Sequence, residues 1–216
     1  MINKKTLIVA PHGDDEVLGC GVLMQRQKTD VVVMCVGDYQ RYDGDKSDPE
    51  GRTSEIMKCH SYLGVNKTKI LTDLEGRLDT VSESKLVGMI DEILSDNYDR
   101  VLFPYPSRHV DHRVTYNTVL ASLRLRADKE QEKEVFLYEY PFITGLDSLK
   151  GGGVFLKASA EEMRRKVEAF ELNKSQIKPK PSPLNEDGIM TLAKMRGMEI
   201  GVEYAEKFYL QQMIIE

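Results

Sequence analysis

Residues 6–36 read TLIVAPHGDDEVLGCGVLMQRQKTDVVVMCV, and this stretch decides the fold. Thr6–Ala10 is a short apolar run that stops at Pro11. Glu16–Lys28 has helical spacing, with Val17, Leu18, Gly21 and Met24 or Gln25 on neighbouring turns. Val31–Val36 is β-branched and almost continuously apolar, the pattern of a strand buried in a parallel sheet. The alternation continues beyond it. Gly37–Gly51 is polar and predicts a loop. Arg52–Leu63 predicts a helix stopped by Gly64. Lys69–Thr72 is a short strand. Ser82–Ser95 is an amphipathic helix with Leu86, Met89, Ile90 and Ile93 on one side. Arg100–Phe103 is a strand ended by Pro104. Val114–Arg126 predicts a helix, Asp128–Glu134 a charged bridge and Val135–Tyr138 another strand. Later signals are less regular. Gly151–Gly153 marks a turn or loop, Ala160–Leu172 a helix, Lys178–Pro183 a connector whose prolines forbid a helix, Gly188–Met198 a helix and Glu203–Leu210 an extended segment.

Steady strand–helix alternation implies an α/β fold: a three-layer, Rossmann-like, mostly parallel sheet with helices on both faces. The 216-residue length fits a single domain, with a core of about 1–176 and a C-terminal extension, 177–216. A charge of -5 and a pI near 5.5 argue against a nucleic-acid partner. No stretch approaches the ~18 apolar residues of a membrane span, so no stable membrane insertion is expected. The apolar run after Lys5 is too short for a signal-peptide core. Cys20, Cys35 and Cys59 are odd in number and lack CxxC spacing, so they read as buried, reduced thiols of a cytoplasmic protein.

Three of the four histidines fall in two clusters, His12-Gly13-Asp14-Asp15-Glu16 and His109-Val110-Asp111-His112. Each follows a strand end, where open α/β sheets collect ligands. Two imidazoles and one carboxylate make a three-ligand set for a catalytic zinc with a fourth position open to water. Asp15, three residues after His12, is the better-placed ligand. Asp14 then stands beside the water as general base. His112 can complete the ligand set, which leaves His109 facing the reacting centre, and Asp111 can hydrogen-bond an imidazole. Competing readings are weighed against this one. Paired aspartates after a strand also cap helices. Gly19-Cys20-Gly21 with Asp38 suggests a dinucleotide site, but the glycines lie inside the presumed helix and Met24 stands where a third glycine belongs. Close helix packing explains them better. A non-catalytic metal-binding chain is the remaining alternative of another class, and the full set of base, acid and ligands argues against it.

These residues resemble the PIG-L/LmbE-like family of zinc-dependent deacetylases, which act on N-acetylglucosamine-containing substrates. Gly13 and Val110 stand where the family commonly has proline, both at non-ligand positions. Arg52 with Glu55, the Lys166, Phe170, Ser175 and Gln176 series, and Ala205-Glu206-Lys207-Phe208 resemble later family segments. The resemblance implies an LmbE-like fold and zinc bound by His12, Asp15 and His112. It implies Asp14 as base and His109, held by Asp111, as general acid or oxyanion donor. It also implies that Arg52 contacts sugar hydroxyls or a phosphate, against a plain salt bridge with Glu55. Asp38 would touch the sugar or cap a loop. The expected partner is a small-molecule or glycoconjugate substrate, and the resemblance implies that homo-oligomers are common. Another amide or ester is the alternative substrate. Iron or cobalt would also suit such a donor set. The segments 37–51 and 139–153 are expected to line the site.

Overall fold

In the computed structural model the described residues are 4–37, 48–124, 133–141 and 153–213. Seven strands form one sheet in the order β3-β2-β1-β4-β5-β7-β6. They are β1 (Thr6–Ala10), β2 (Thr29–Cys35), β3 (Lys67–Thr72), β4 (Arg100–Pro104), β5 (Glu134–Tyr138), β6 (Gly153–Ala158) and β7 (Tyr204–Gln212). The first five pair in parallel, while β7 runs antiparallel to both β5 and β6. β1 and β2 are buried along their whole length, because the sheet is covered on both faces there and no polar alternation is needed. β3, at the edge, alternates between exposed and half-buried positions.

The helices are α1 (Asp15–Arg26), α2 (Pro49–Leu63), α3 (Glu83–Leu94), α4 (Val110–Ser122), α5 (Ala160–Glu171) and α6 (Glu186–Glu199). α1, α2 and α5 pack on one another, and α3 packs on α4, which lies over β1 and β4. Right-handed crossovers place these two groups on opposite faces. Gly64 ends α2 in a left-handed conformation at φ 77°, which a glycine adopts without steric cost. A reciprocal capping box of Ser159 and Glu162 starts α5.

α2 starts at Pro49, inside the expected 37–51 loop, rather than at Arg52, because a proline fits the first turn of a helix. Two further elements depart from expectation. α4 starts at Val110 rather than Val114, because His109 takes the N-cap position and its Nδ1 accepts the Asp111 backbone N–H at 3.2 Å. The second histidine cluster therefore lies on a helix N-terminus instead of a free loop. Gly153 opens β6, a strand the glycine run concealed; Gly151 and Gly152 lie outside the described residues. Most of the charged bridge and of the expected 37–51 and 139–153 loops, and Asp38, also lie outside them, while Glu134 at the end of the bridge opens β5. Residues 177–216, expected as an extension, supply α6 and β7, and β7 is inserted between β5 and β6. Lys178–Pro183 is free of helix, as its prolines require. No described helix is long and apolar enough to cross a membrane.

The direction of the sheet reverses at β1, whose neighbours are β2 on one side and β4 on the other. In such sheets the crevice beyond the carboxyl ends of the strands at that point is where ligands bind. His12 leaves β1 there, and His109 to His112 leave β4 there.

Candidate metal centre

Pro11 ends β1, and the chain turns through His12 and Gly13 into the first turn of α1, which carries Asp15 and Glu16. Gly13 makes the turn pack closely, since a Cβ there would lie 2.2 Å from Cδ1 of Ile56. The Asp15 carboxylate receives three groups at one oxygen, Oδ2: the His12 backbone N–H at 3.2 Å, His12 Nδ1 at 3.3 Å and His112 Nε2 at 3.3 Å. The two imidazoles hold the Asp15 carboxyl far below its usual range, overcoming the opposite effect of burial.

His12, Asp15 and His112 thus present donor atoms within 4.8 Å of one another. Tetrahedral zinc with bonds of about 2.0–2.1 Å separates its ligand atoms by roughly 3.3 Å, which follows from the bond length and angle. The two imidazole spacings at Asp15 Oδ2, 3.3 Å each, match that edge, and the mixed imidazole–carboxylate donors suit zinc and similar divalent metals. The residues fit the group.

Asp111 is fully buried, and its carboxylate meets His12, not His109. Its Oδ2 lies 3.0 Å from His12 Nε2 and also accepts the Gly76 N–H at 2.6 Å, while Oδ1 accepts the Leu78 N–H at 3.1 Å. Burial opposes ionisation, but the His12 contact and the two N–H groups keep the Asp111 carboxyl below its usual range. A carboxylate on the far nitrogen of an imidazole fixes which nitrogen faces the metal side. The Asp111 and Asp15 carboxylates raise His12 well above its ordinary pKa against the effect of burial. His109 is instead held through its Nδ1 by the Asp111 backbone. An Nδ1 that accepts leaves the proton on Nε2. Although the His109 side chain is exposed, the protein packed around its ring and the neighbouring His12 and His112 push its pKa down. The three rings stand close together, with centroid separations of 5.0 Å for His12–His109 and 5.2 Å for the other two pairs.

Asp14 occupies the N-cap position of α1, yet its side chain makes no capping hydrogen bond. Burial and the adjacent Asp15 charge raise its pKa to about 7. The carboxylate is held beside the donor cluster without being consumed by helix capping.

Arg52, 3% exposed, pairs with Glu55 at 3.1 Å and reaches Ser175 Oγ at 3.3 Å and the Gly13 carbonyl at 3.4 Å. The salt-bridge reading of Arg52 is therefore present. Glu55 also accepts the Ser175 N–H at 3.0 Å and its hydroxyl at 2.7 Å, which ties the segment after α5 to the turn holding Gly13. The fourth histidine, His60, is away from the cluster, between Glu16 Oε1 and Thr68 Oγ1 at 2.8 Å each.

Gly19 and Gly21 serve packing. A Cβ at Gly19 would lie 2.3 Å from the Tyr138 ring, and one at Gly21 would lie 2.8 Å from Cγ of Lys166. Lys166 enters α1 there. Its Nζ donates to the Leu18 carbonyl at 2.8 Å and to Glu206 at 2.8 Å, and Glu206 accepts the N–H groups of Val22 and Leu23 at 2.8 and 3.1 Å. This buried ion pair bridges the backbone groups of one turn in the helix that presents Asp14 and Asp15. Sequence reasoning named both residues only as part of a resemblance. It did not single out Tyr140 within the segment 139–153 expected to line the site; Tyr140 packs on His112 with ring centroids 4.6 Å apart. A tyrosine just past a strand end carries no motif that would single it out.

Fold and site together define an α/β chain with a metal-type donor cluster at the switch point of its sheet. The family model described as PIG-L, GlcNAc-PI de-N-acetylase, matches residues 7–123, and the chain belongs to that family. No curated protein matches the sequence. Among solved structures it is similar to the conserved protein TT1542 from Thermus thermophilus, at 23% identity and a TM-score of 0.76, covering 99% of this chain and 97% of that one. It is similar to N,N'-diacetylchitobiose deacetylase from Pyrococcus horikoshii, at 22% identity and a TM-score of 0.75, covering 96% and 84% of the two chains. It is also similar to the zinc-inhibited form of teicoplanin deacetylase Orf2, at 18% identity and a TM-score of 0.74, covering 95% and 97%. At these identities the likeness is one of fold.

Proposed function

We propose that this chain is a metal-dependent hydrolase that removes the N-acetyl group from an N-acetylglucosamine-containing conjugate, with His12, Asp15 and His112 as the metal ligands. The observation that carries this reading is the convergence of those three donors, next in the chain to an Asp14 carboxylate uncommitted to helix capping. Membership of a de-N-acetylase family supports the reaction class. A divalent metal such as zinc supplies Lewis-acid polarisation and an acidified water at such a site. The chain's own groups do the rest.

Asp14 accepts a proton from the attacking water, and a carboxyl poised near 7 is matched to that task near neutral pH. The new C–O bond forms at the acetamide carbon and the carbonyl oxygen takes on negative charge. His109 donates its Nε2–H to that oxygen. Two roles were open for His109, acid or oxyanion donor. An Nδ1 that accepts the Asp111 N–H leaves the Nε2–H to donate, which favours the oxyanion donor. The proton held on Asp14 then passes to the nitrogen as the C–N bond breaks, giving acetate and the free amine. Asp111 acts through His12, fixing its ring. Arg52 is assigned to the support of the Gly13 turn, and its contact with a sugar or phosphate, like that of Asp38, belongs to this proposal only as a second task. Zinc is the proposed metal, with Fe2+ or cobalt as alternatives. The cytoplasm is the proposed compartment, on the strength of three buried free thiols.

The test is amine release from a panel of N-acetylglucosamine conjugates, with chelator and with zinc added back. Chelator-sensitive release supports the reading, and the best substrate identifies the conjugate. A stoichiometric metal with no release from any conjugate sinks the substrate assignment and moves the same residues to another amide or an ester. The Asp14→Ala variant is expected to keep its metal and lose most activity.

A further inference from the structure

Tyr140 lies two residues past the end of β5 and is 4% exposed. Its ring leans on His112 with centroids 4.6 Å apart and planes at 46°. Its hydroxyl is buried and has no hydrogen-bond partner. A phenol is protonated at neutral pH and donates its O–H to an anionic oxygen. An unpartnered buried hydroxyl costs free energy unless something brings it an acceptor. The ring that carries this hydroxyl lies against one imidazole of the donor cluster.

We propose that Tyr140 is a second catalytic hydrogen-bond donor of this site. Its O–H donates to the carbonyl oxygen of the bound amide as that oxygen gains negative charge, alongside His109 Nε2–H. The inference rests on the hydrolase reading above and deepens it. It also explains why a phenol sits buried against a ligand imidazole without a partner of its own. The competing account is local. Ser107, whose hydroxyl accepts the His109 backbone N–H at 3.1 Å, is close enough to interact with the Tyr140 hydroxyl and is its rival partner.

Two variants separate the accounts. Tyr140→Phe keeps the ring on His112 and removes only the hydroxyl. Ser107→Ala removes the rival partner. Amine release by Tyr140→Phe is expected to show kcat lowered roughly 100-fold, KM near wild type and zinc content unchanged, the pattern of a donor used in the transition state. Ser107→Ala, which also removes the acceptor of the His109 N–H, is expected to lower kcat far less than Tyr140→Phe does. An independent readout is acetate binding to the cobalt-loaded protein, followed by the visible absorption of cobalt. Tyr140→Phe is expected to bind acetate roughly 10-fold more weakly, because a hydrogen bond to a charged oxygen is lost.

Wild-type kcat and wild-type acetate affinity in Tyr140→Phe would overturn the proposal. So would a Ser107→Ala variant that reproduces the whole Tyr140→Phe loss. Should wild type release no amine from any conjugate while Tyr140→Phe still weakens acetate, the substrate reading falls and the donor role stands. No amine release together with equal acetate affinity would end both.

Discussion

Replacing Lys166 with methionine tests how α1 is held beneath the candidate metal centre. The Lys166 and Glu206 side chains are 5% and 2% exposed and 2.8 Å apart. Removing the ammonium strands a buried carboxylate and leaves the Leu18 carbonyl without that donor. Breaking a buried pair from one side costs about 3–5 kcal/mol. Glu206 keeps the Val22 and Leu23 N–H groups, so the loss falls at the lower end of that range. At about 3 kcal/mol, and about 2–4 °C per kcal/mol for a chain of this length, Tm drops by roughly 6–12 °C. Thermal and urea unfolding of the metal-free protein measure it. The double variant Lys166→Met/Glu206→Leu removes both charges, and the N–H of Val22 can then return to the carbonyl one turn back. It is expected to recover most of the loss, a coupling of opposite sign to the single variant. A single variant that costs under about 1 kcal/mol, or a double variant whose losses simply add, refutes the bridged-helix account.

Gly19→Ala is expected to destabilise strongly, because its Cβ would sit 2.3 Å from the Tyr138 ring and 2.9 Å from the Glu139 carbonyl, and backbone cannot yield cheaply; unfolding at the wild-type denaturant midpoint would contradict this. Asp111→Asn is expected to weaken zinc binding about 10- to 100-fold while the ligands remain, measured by competition with a chromogenic chelator; unchanged affinity would mean that the His12–Asp111 contact has no bearing on the metal. Asp14 gives a pH signature in the metal-free protein. Its pKa is raised from 3.8 to about 7, so its contribution to stability is present below the ordinary carboxylate range and lost as pH rises through about 7. Wild type is therefore expected to lose more urea resistance between pH 4 and pH 7 than Asp14→Asn, and parallel profiles would show that Asp14 is not so perturbed.

The sheet was legible because its strands are either continuously apolar, as in Val31–Val36, or ended by a proline, as at Ala10 and Phe103. The strand missed, β6, is an edge strand with half-buried residues that opens on a glycine, so neither period nor burial advertises it. The start of α4 was placed four residues late because histidine is a rare N-cap, and only the Nδ1 contact with the Asp111 N–H reveals it. The donor set was legible as residue types at two strand ends. Which imidazole Asp111 would serve was not, because that depends on how β1 and β4 lie side by side in the sheet. For the same reason the link from Arg52 through Glu55 to Ser175 could not be read from the chain, since 120 residues separate its last two members.

The most direct test of the metal-centre assignment is a calorimetric titration of zinc into chelator-treated protein, wild type against His112→Ala. Among the described residues His112 meets Asp15 and lines the cluster from α4, while His12 comes from the turn after β1 and Asp15 from α1. Wild type is expected to take one zinc per chain tightly, and His112→Ala to lose most of that affinity while keeping its folded signature. Equal stoichiometry and equal affinity in the two proteins would contradict the assignment of His12, Asp15 and His112 as the metal centre.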